Sequence, residues 1–163
     1  MKRSLTVEWQ DPEPLADAAR SMSGIDFLRA ICDGRLAQPP ICYLLGYRLA
    51  EVEPGRVVFE GTPGEQHYNP IGVVHGGLAM TLLDSCMACA VQTQVPAGAG
   101  YTTLEAKINL VRPITSATGK LRAIGKTIHV GSRVGTAEGR LEDASGKLYA
   151  HATTTCIVLG NGR

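Results

Sequence analysis

His67-Tyr-Asn69-Pro-Ile-Gly72-Val-Val-His75-Gly76-Gly77-Leu-Ala-Met-Thr-Leu-Leu-Asp84 joins a loop rich in Gly, Pro and Asn to a run in which small and apolar residues occupy every side of a helix. From Gly76 to about Val91 the only charge is Asp84, among Leu78, Ala79, Met80, Leu82, Leu83, Cys86, Met87, Ala88, Cys89 and Ala90. A helix apolar all round is expected to be buried. Burying an unpaired carboxylate costs several kcal/mol, so Asp84 needs a reason. Either a salt bridge or cap holds it, or the helix is only half covered, or the acid does chemistry. In the third case a carboxylate facing a cleft can serve as a nucleophile or general base.

Where that helix begins, Gly76 and Gly77 present backbone N–H groups at the positive end of the helix dipole. With no Cβ, a carbonyl oxygen can approach closely. This is how an oxyanion hole is made from backbone, and losing such a donor typically costs about two to three orders of magnitude in rate. His75 and Asn69 flank the same turn with side chains able to orient a carbonyl or the loop itself.

Working outward, Leu15–Arg20 and Ile25–Leu36 carry helical spacing, with Ser23 placed to cap the second helix and Pro39-Pro40 placed to close it. From Tyr47 to Glu60 the pattern is extended, with Pro54-Gly55 as a tight turn. Beyond the central helix, strands are expected at Thr102–Val111, Lys120–Val130, Val134–Leu141 and Lys147–Leu159, with a turn at Ser145-Gly146. In the first of these Leu104, Ala106, Ile108 and Leu110 alternate with polar residues, which puts Thr103 on the polar face. One long helix followed by antiparallel strands means an α+β architecture, with the sheet curled around the helix.

At 163 residues the chain fits one domain, and 44% hydrophobic against 19% charged residues points to a folded protein rather than a disordered one. A formal net charge of +1 gives no reason to expect nucleic acid or an anionic membrane as partner. Met1–Pro14 has no signal-like apolar core, and Asp84 interrupts the longest apolar run. Five cysteines, Cys32, Cys42, Cys86, Cys89 and Cys156, fit no disulfide framework, so the expected location is cytoplasmic. Cys86 and Cys89 form a CxxC without a second pair, and four dispersed His residues form no ligand cluster; no metal is expected.

The run His67-x-Asn69-x-x-Gly72-x-x-His75-Gly76-Gly77, with Asp84 seven residues on, resembles the hotdog-fold acyl-CoA thioesterase superfamily. It is most similar to the phenylacetate-pathway (PaaI-like) and hydroxybenzoyl-CoA thioesterase branch, over roughly Ser23–Leu159. The resemblance implies a hotdog fold: a curved antiparallel sheet around one central helix, residues 23–163 forming a single domain behind an N-terminal extension, 1–22. It implies acyl-CoA hydrolysis with Asp84 as nucleophile or general base and Gly76 as oxyanion donor. His75 and Asn69 would position the thioester, and Thr103 would supply a hydroxyl from a neighbouring subunit to hold the attacking water. Gly77, Gly131, Ser132 and Arg133 would meet coenzyme A, with Arg112 and Lys126 as weaker candidates. No cofactor is implied beyond the coenzyme A of the substrate, and a homodimer or homotetramer is expected.

Three other readings compete. A His-Gly-Gly run also forms the oxyanion loop of α/β-hydrolases, but the G-x-S-x-G elbow of that fold is missing. A dehydratase of the same fold pairs its His and acid differently. A non-catalytic acyl-CoA-binding hotdog protein would lack the acid, whereas Asp84 is present.

Overall fold

A computed structural model describes residues 1–160. Three helices come first: α1 (Glu13–Ser21), α2 (Gly24–Cys32) and α3 (Pro40–Leu45). Ser23 caps α2 as expected, its hydroxyl accepting the Asp26 N–H. The helix stops at Cys32 rather than Leu36 because Gly34 takes a left-handed φ of 77°, which ends a helix cleanly. Pro39-Pro40 does not simply close it. Pro40 opens α3, a position where the missing N–H costs nothing.

The strands are β1 (Tyr47–Glu53), β2 (Arg56–Gly61), β3 (Gly100–Leu110), β4 (Leu121–Val130), β5 (Val134–Asp143) and β6 (Leu148–Leu159), and the central helix is α4 (Gly76–Gln92). They form one antiparallel sheet of order β1-β2-β4-β5-β6-β3, so β1 and β3 are its edges. α4 crosses the concave face, mainly over β4 and β5. Glycines set how closely it lies. A Cβ at Gly125 would stand 2.2 Å from the Cys86 carbonyl oxygen, and one at Gly139 2.8 Å from the Met87 side chain. Leu82, Leu83, Cys86, Met87, Ala90 and Val91 fill the space between helix and sheet.

Two expectations about faces are corrected. α4 is not enclosed on all sides: Met80 is 44% exposed, and Thr81, Asp84, Ser85 and Cys89 are half-buried along one stripe. The sheet covers the opposite side, and among the described residues no layer lies above that outward stripe. In β3 a bulge lies between Thr103 and Glu105, where Thr103 pairs with Cys156 and Glu105 with Thr155. The extra residue, Leu104, breaks the alternation, so Thr103 faces α4 together with Ala106 and Ile108 while Leu104 is 59% exposed.

Candidate active site

The site is built at the start of α4 and around its middle. His75 is the N-cap residue, and its Nδ1 accepts the Gly77 N–H at 2.8 Å. Gly77 has therefore spent its amide on the cap, and the N–H of Gly76 has no acceptor among the described residues. With Nδ1 accepting, the neutral imidazole carries its proton on Nε2.

The approach loop is held rigidly. Asn69 Oδ1 accepts the N–H groups of Ile71 at 3.1 Å and Val73 at 3.3 Å, closing the turn that Gly72 completes with φ 80°. The His67 carbonyl accepts the His75 N–H, and the Ile114 carbonyl accepts that of Val74. Tyr68 shares a hydrogen bond with the Ser116 hydroxyl and accepts the Ser116 N–H, and these two bonds lower its pKa. His67 Nδ1 accepts from Gly64, and burial lowers the His67 pKa, partly offset by the Leu45 backbone. A neutral His67 is thus built into the turn.

Asn69, Val74, Gly76, Ala79, Leu110 and Arg112 line a cavity of about 290 Å³ at this helix start. A Cβ at Gly76 would stand 2.6 Å from Leu110 Cδ1, so a larger residue there would push the Leu110 side chain aside.

Asp84 lies two turns further along. Its Oδ1 accepts the Thr103 hydroxyl at 2.9 Å, and the bulge in β3 is what turns that hydroxyl toward the helix. The bond is made within one chain, not by a neighbouring subunit. Ser85, the next residue, shares a hydrogen bond of 3.2 Å with the Tyr47 hydroxyl on β1. Nothing in the sequence singled out Tyr47, whose role depends on where β1 lands.

Eight residues at 1.5 Å each separate Gly76 from Asp84 by roughly 12 Å along the axis. In a single chain the acid is not beside the free amide, and the expected juxtaposition is not made. The residues assigned to coenzyme A are also divided. Arg112 stands at the start of α4, whereas Gly131, Ser132 and Arg133 form the β4–β5 turn. Gly131 and Ser132 line a cavity of about 440 Å³ with Gln94, Val95 and Pro96, beyond the far end of α4. The helix between them is about 25 Å long.

The profile of the thioesterase superfamily matches residues 71–150, the span from the approach loop into β6. A protein of Saccharolobus solfataricus, provisionally named an esterase, is 33% identical over 71% of this chain and 80% of its own length. The chain belongs to the thioesterase superfamily. Among solved structures of that superfamily, a phenylacetic acid degradation-related protein of Ralstonia eutropha JMP134 aligns with TM-score 0.72 and 28% identity, over 80% of this chain and 98% of that one. A variant of the phenylacetic acid degradation protein PaaI from Thermus thermophilus aligns with TM-score 0.66 and 27% identity, over 73% and 98%. This thioesterase has the hotdog fold of the PaaI-like branch and is a hydrolase. No helix among the described residues is long and apolar enough to cross a membrane.

Proposed function

We propose that the protein hydrolyses acyl-CoA thioesters to the free acid and coenzyme A at a site shared between two copies of the chain. The observation that carries this is the free Gly76 N–H standing roughly 12 Å from Asp84 on the same helix. An amide donor and an acid must flank one carbonyl to act on it together, so the acid is supplied by a second copy. β3 offers the means. Its outer edge is unpaired among the described residues, and antiparallel pairing of β3 with its symmetry mate extends the sheet and runs the two α4 helices in opposite directions. The middle of one α4 then lies alongside the start of the other, and the β4–β5 turn of one copy comes to the end of the molecule that holds Arg112 of the other. That reunites Gly131, Ser132, Arg133 and Arg112 around one nucleotide.

In this reading the thioester oxygen rests on the Gly76 N–H, with His75 and Asn69 holding the loop that presents it. Asp84, oriented by Thr103, either takes a proton from water as that water attacks the carbonyl carbon and passes it to the departing sulfur, or attacks that carbon itself to form an acyl–aspartyl anhydride that a water then hydrolyses, the proton of that water going to the thiolate. The carbon–sulfur bond breaks, coenzyme A leaves as the thiol, and negative charge builds on the oxygen that the amide stabilises. Water is the only co-reactant, and no cofactor is required. The assembly is a homodimer or a homotetramer made of such dimers.

Free coenzyme A released from acyl-CoA, followed with a thiol reagent, tests the assignment. Asp84→Ala should lose activity by about three orders of magnitude while keeping the wild-type circular dichroism spectrum. Unchanged release in that variant rules out the acid.

A further inference from the structure

The middle of α4 is tied to the sheet by two side-chain hydrogen bonds that come from opposite edges. Thr103 on β3 donates to Asp84 Oδ1 at 2.9 Å, and Tyr47 on β1 shares its bond of 3.2 Å with the Ser85 hydroxyl. β1 and β3 are the two ends of the six-stranded sheet. Neighbouring residues of an α-helix point about 100° apart, so the two ties pull on the helix in different directions.

The contacts beneath this part of α4 are glycines and aliphatic side chains, with Gly125 under the Cys86 carbonyl and Gly139 under Met87. Apolar burial is non-directional. It sets how deep the helix lies and restrains small rotations about its axis less than a hydrogen bond does. Among the described residues, the other side-chain hydrogen bonds joining α4 and its C-cap to the sheet and its turns are Tyr101 to Gln92 and the Gly55 N–H to Thr93. Both stand about two turns beyond Ser85.

Tyr47 is held firmly enough to act as an anchor. It is 5% exposed, and its ring stacks edge-on against Phe59 with centroids 5.7 Å apart. Its cross-strand partner is Gly61, where a Cβ would stand 2.9 Å from that of Tyr47. Burial raises the pKa of the phenol, although the Ser85 bond partly offsets this, so the hydroxyl keeps its proton. A buried phenol needs a partner, and the one it finds is the residue beside the acid.

We infer that Tyr47 is a positioning residue for Asp84, acting through Ser85 from the edge of the sheet opposite β3. The inference rests on the acyl-thioester reading above. There the acid must meet a carbonyl held by the Gly76 amide of another copy, and a misplacement of about 1 Å can cost about two orders of magnitude in rate. Tyr47 precedes the residues matched by the superfamily profile, so the aim of the acid depends on a side chain outside that shared span.

Tyr47→Phe removes one oxygen and keeps the ring, and Ser85→Ala removes its partner. Both, the double variant and Ser85→Thr are compared with wild type on whichever of acetyl-, hexanoyl-, decanoyl- and benzoyl-CoA the wild type hydrolyses fastest. Light scattering and circular dichroism verify assembly and fold. Each single variant should lower kcat about fivefold, the scale of one neutral hydrogen bond, and change KM less than about twofold. The double variant should lose no more than either single one. Ser85→Thr keeps the hydroxyl and should stay within about twofold of wild type. A merely structural bond would lower Tm and leave kcat unchanged well below the melting temperature, which would overturn the inference. Losses that multiply in the double variant, or a rise in KM at constant kcat, would overturn it too. Should Tyr47→Phe fail to fold, Ser85→Ala against Ser85→Thr carries the comparison. If wild type releases coenzyme A from none of the four, the hydrolytic reading fails. Amide hydrogen exchange over residues 81–88 then decides the tie alone: equal protection in wild type and Ser85→Ala refutes it.

Discussion

The two edges of the sheet are treated in opposite ways. β1 is short, carries a bulge between Leu49 and Glu51, and is covered by the N-terminal helices. Two of its edge groups are met by that segment: the Leu49 N–H donates to Gln38 Oε1 at 3.0 Å, and the Cys32 thiol donates to the Ala50 carbonyl at 3.3 Å. β3 is 11 residues long, carries Leu104 and Leu110 exposed, and hydrogen-bonds through its backbone only to β6 among the described residues. An open edge is a template for pairing, and natural sheets blunt the edges they do not use. The N-terminal segment closes one edge, which leaves a single direction for growth and favours a closed pair over a filament. The open edge is also the one whose Thr103 holds Asp84. In the proposed dimer, assembly and catalysis would meet on the same strand.

Charging the open edge should have the largest effect. Leu104→Asp places a carboxylate where two β3 strands would meet, so light scattering should show monomers and acyl-CoA hydrolysis should fall by at least about two orders of magnitude, the scale of losing an oxyanion donor. A variant that stays dimeric and active would mean that β3 is not the interface. Thr103→Val is a smaller intervention on the same strand. It keeps shape and removes the donor to Asp84, so kcat should drop by roughly tenfold, the equivalent of one hydrogen bond to a charged group, with the dimer intact. Loss of assembly alongside activity would show that Thr103 acts through the interface instead.

The closed edge should respond least. Gln38→Ala removes one acceptor and should cost about 1 kcal/mol, a fall of about 2–4 °C in Tm for a chain of this size, with oligomeric state and kcat unchanged. Burial raises the pKa of the Cys32 thiol, reducing its thiolate fraction near neutral pH, so alkylation of Cys32 in the native wild type should be slow. Faster labelling of Cys32 in Gln38→Ala, read by mass spectrometry, would show the edge loosening. Equal labelling and equal Tm would show that Gln38 does not guard it.

Much of this architecture could be read along the chain because it depends on local chemistry. Ser23 as a cap, the turns at Pro54-Gly55 and Ser145-Gly146, the start of α4 at Gly76 and the positions of all six strands follow from propensity, turn residues and periodicity over a few neighbours. The approach loop was legible for the same reason, since Asn69, Gly72 and His75 act on backbone groups within four residues of themselves.

What the tertiary structure alone decided involves residues far apart in sequence. Strict alternation placed Thr103 away from the helix, and the bulge that reverses this comes from the register between β3 and β6, pairing residues about 50 positions apart. A helix apolar on every side reads as enclosed, yet among the described residues no further layer covers its outward stripe. Motif spacing counts residues and not distance: seven positions between Gly77 and Asp84 look like a single site in the sequence, but the helical rise carries them two turns apart. Side-chain periodicity is set by the bonds of each residue to its near neighbours, so the sequence determined the elements. Register, bulges and which faces remain open are set by long-range pairing and packing, so only the folded structure could decide which atoms of this protein meet.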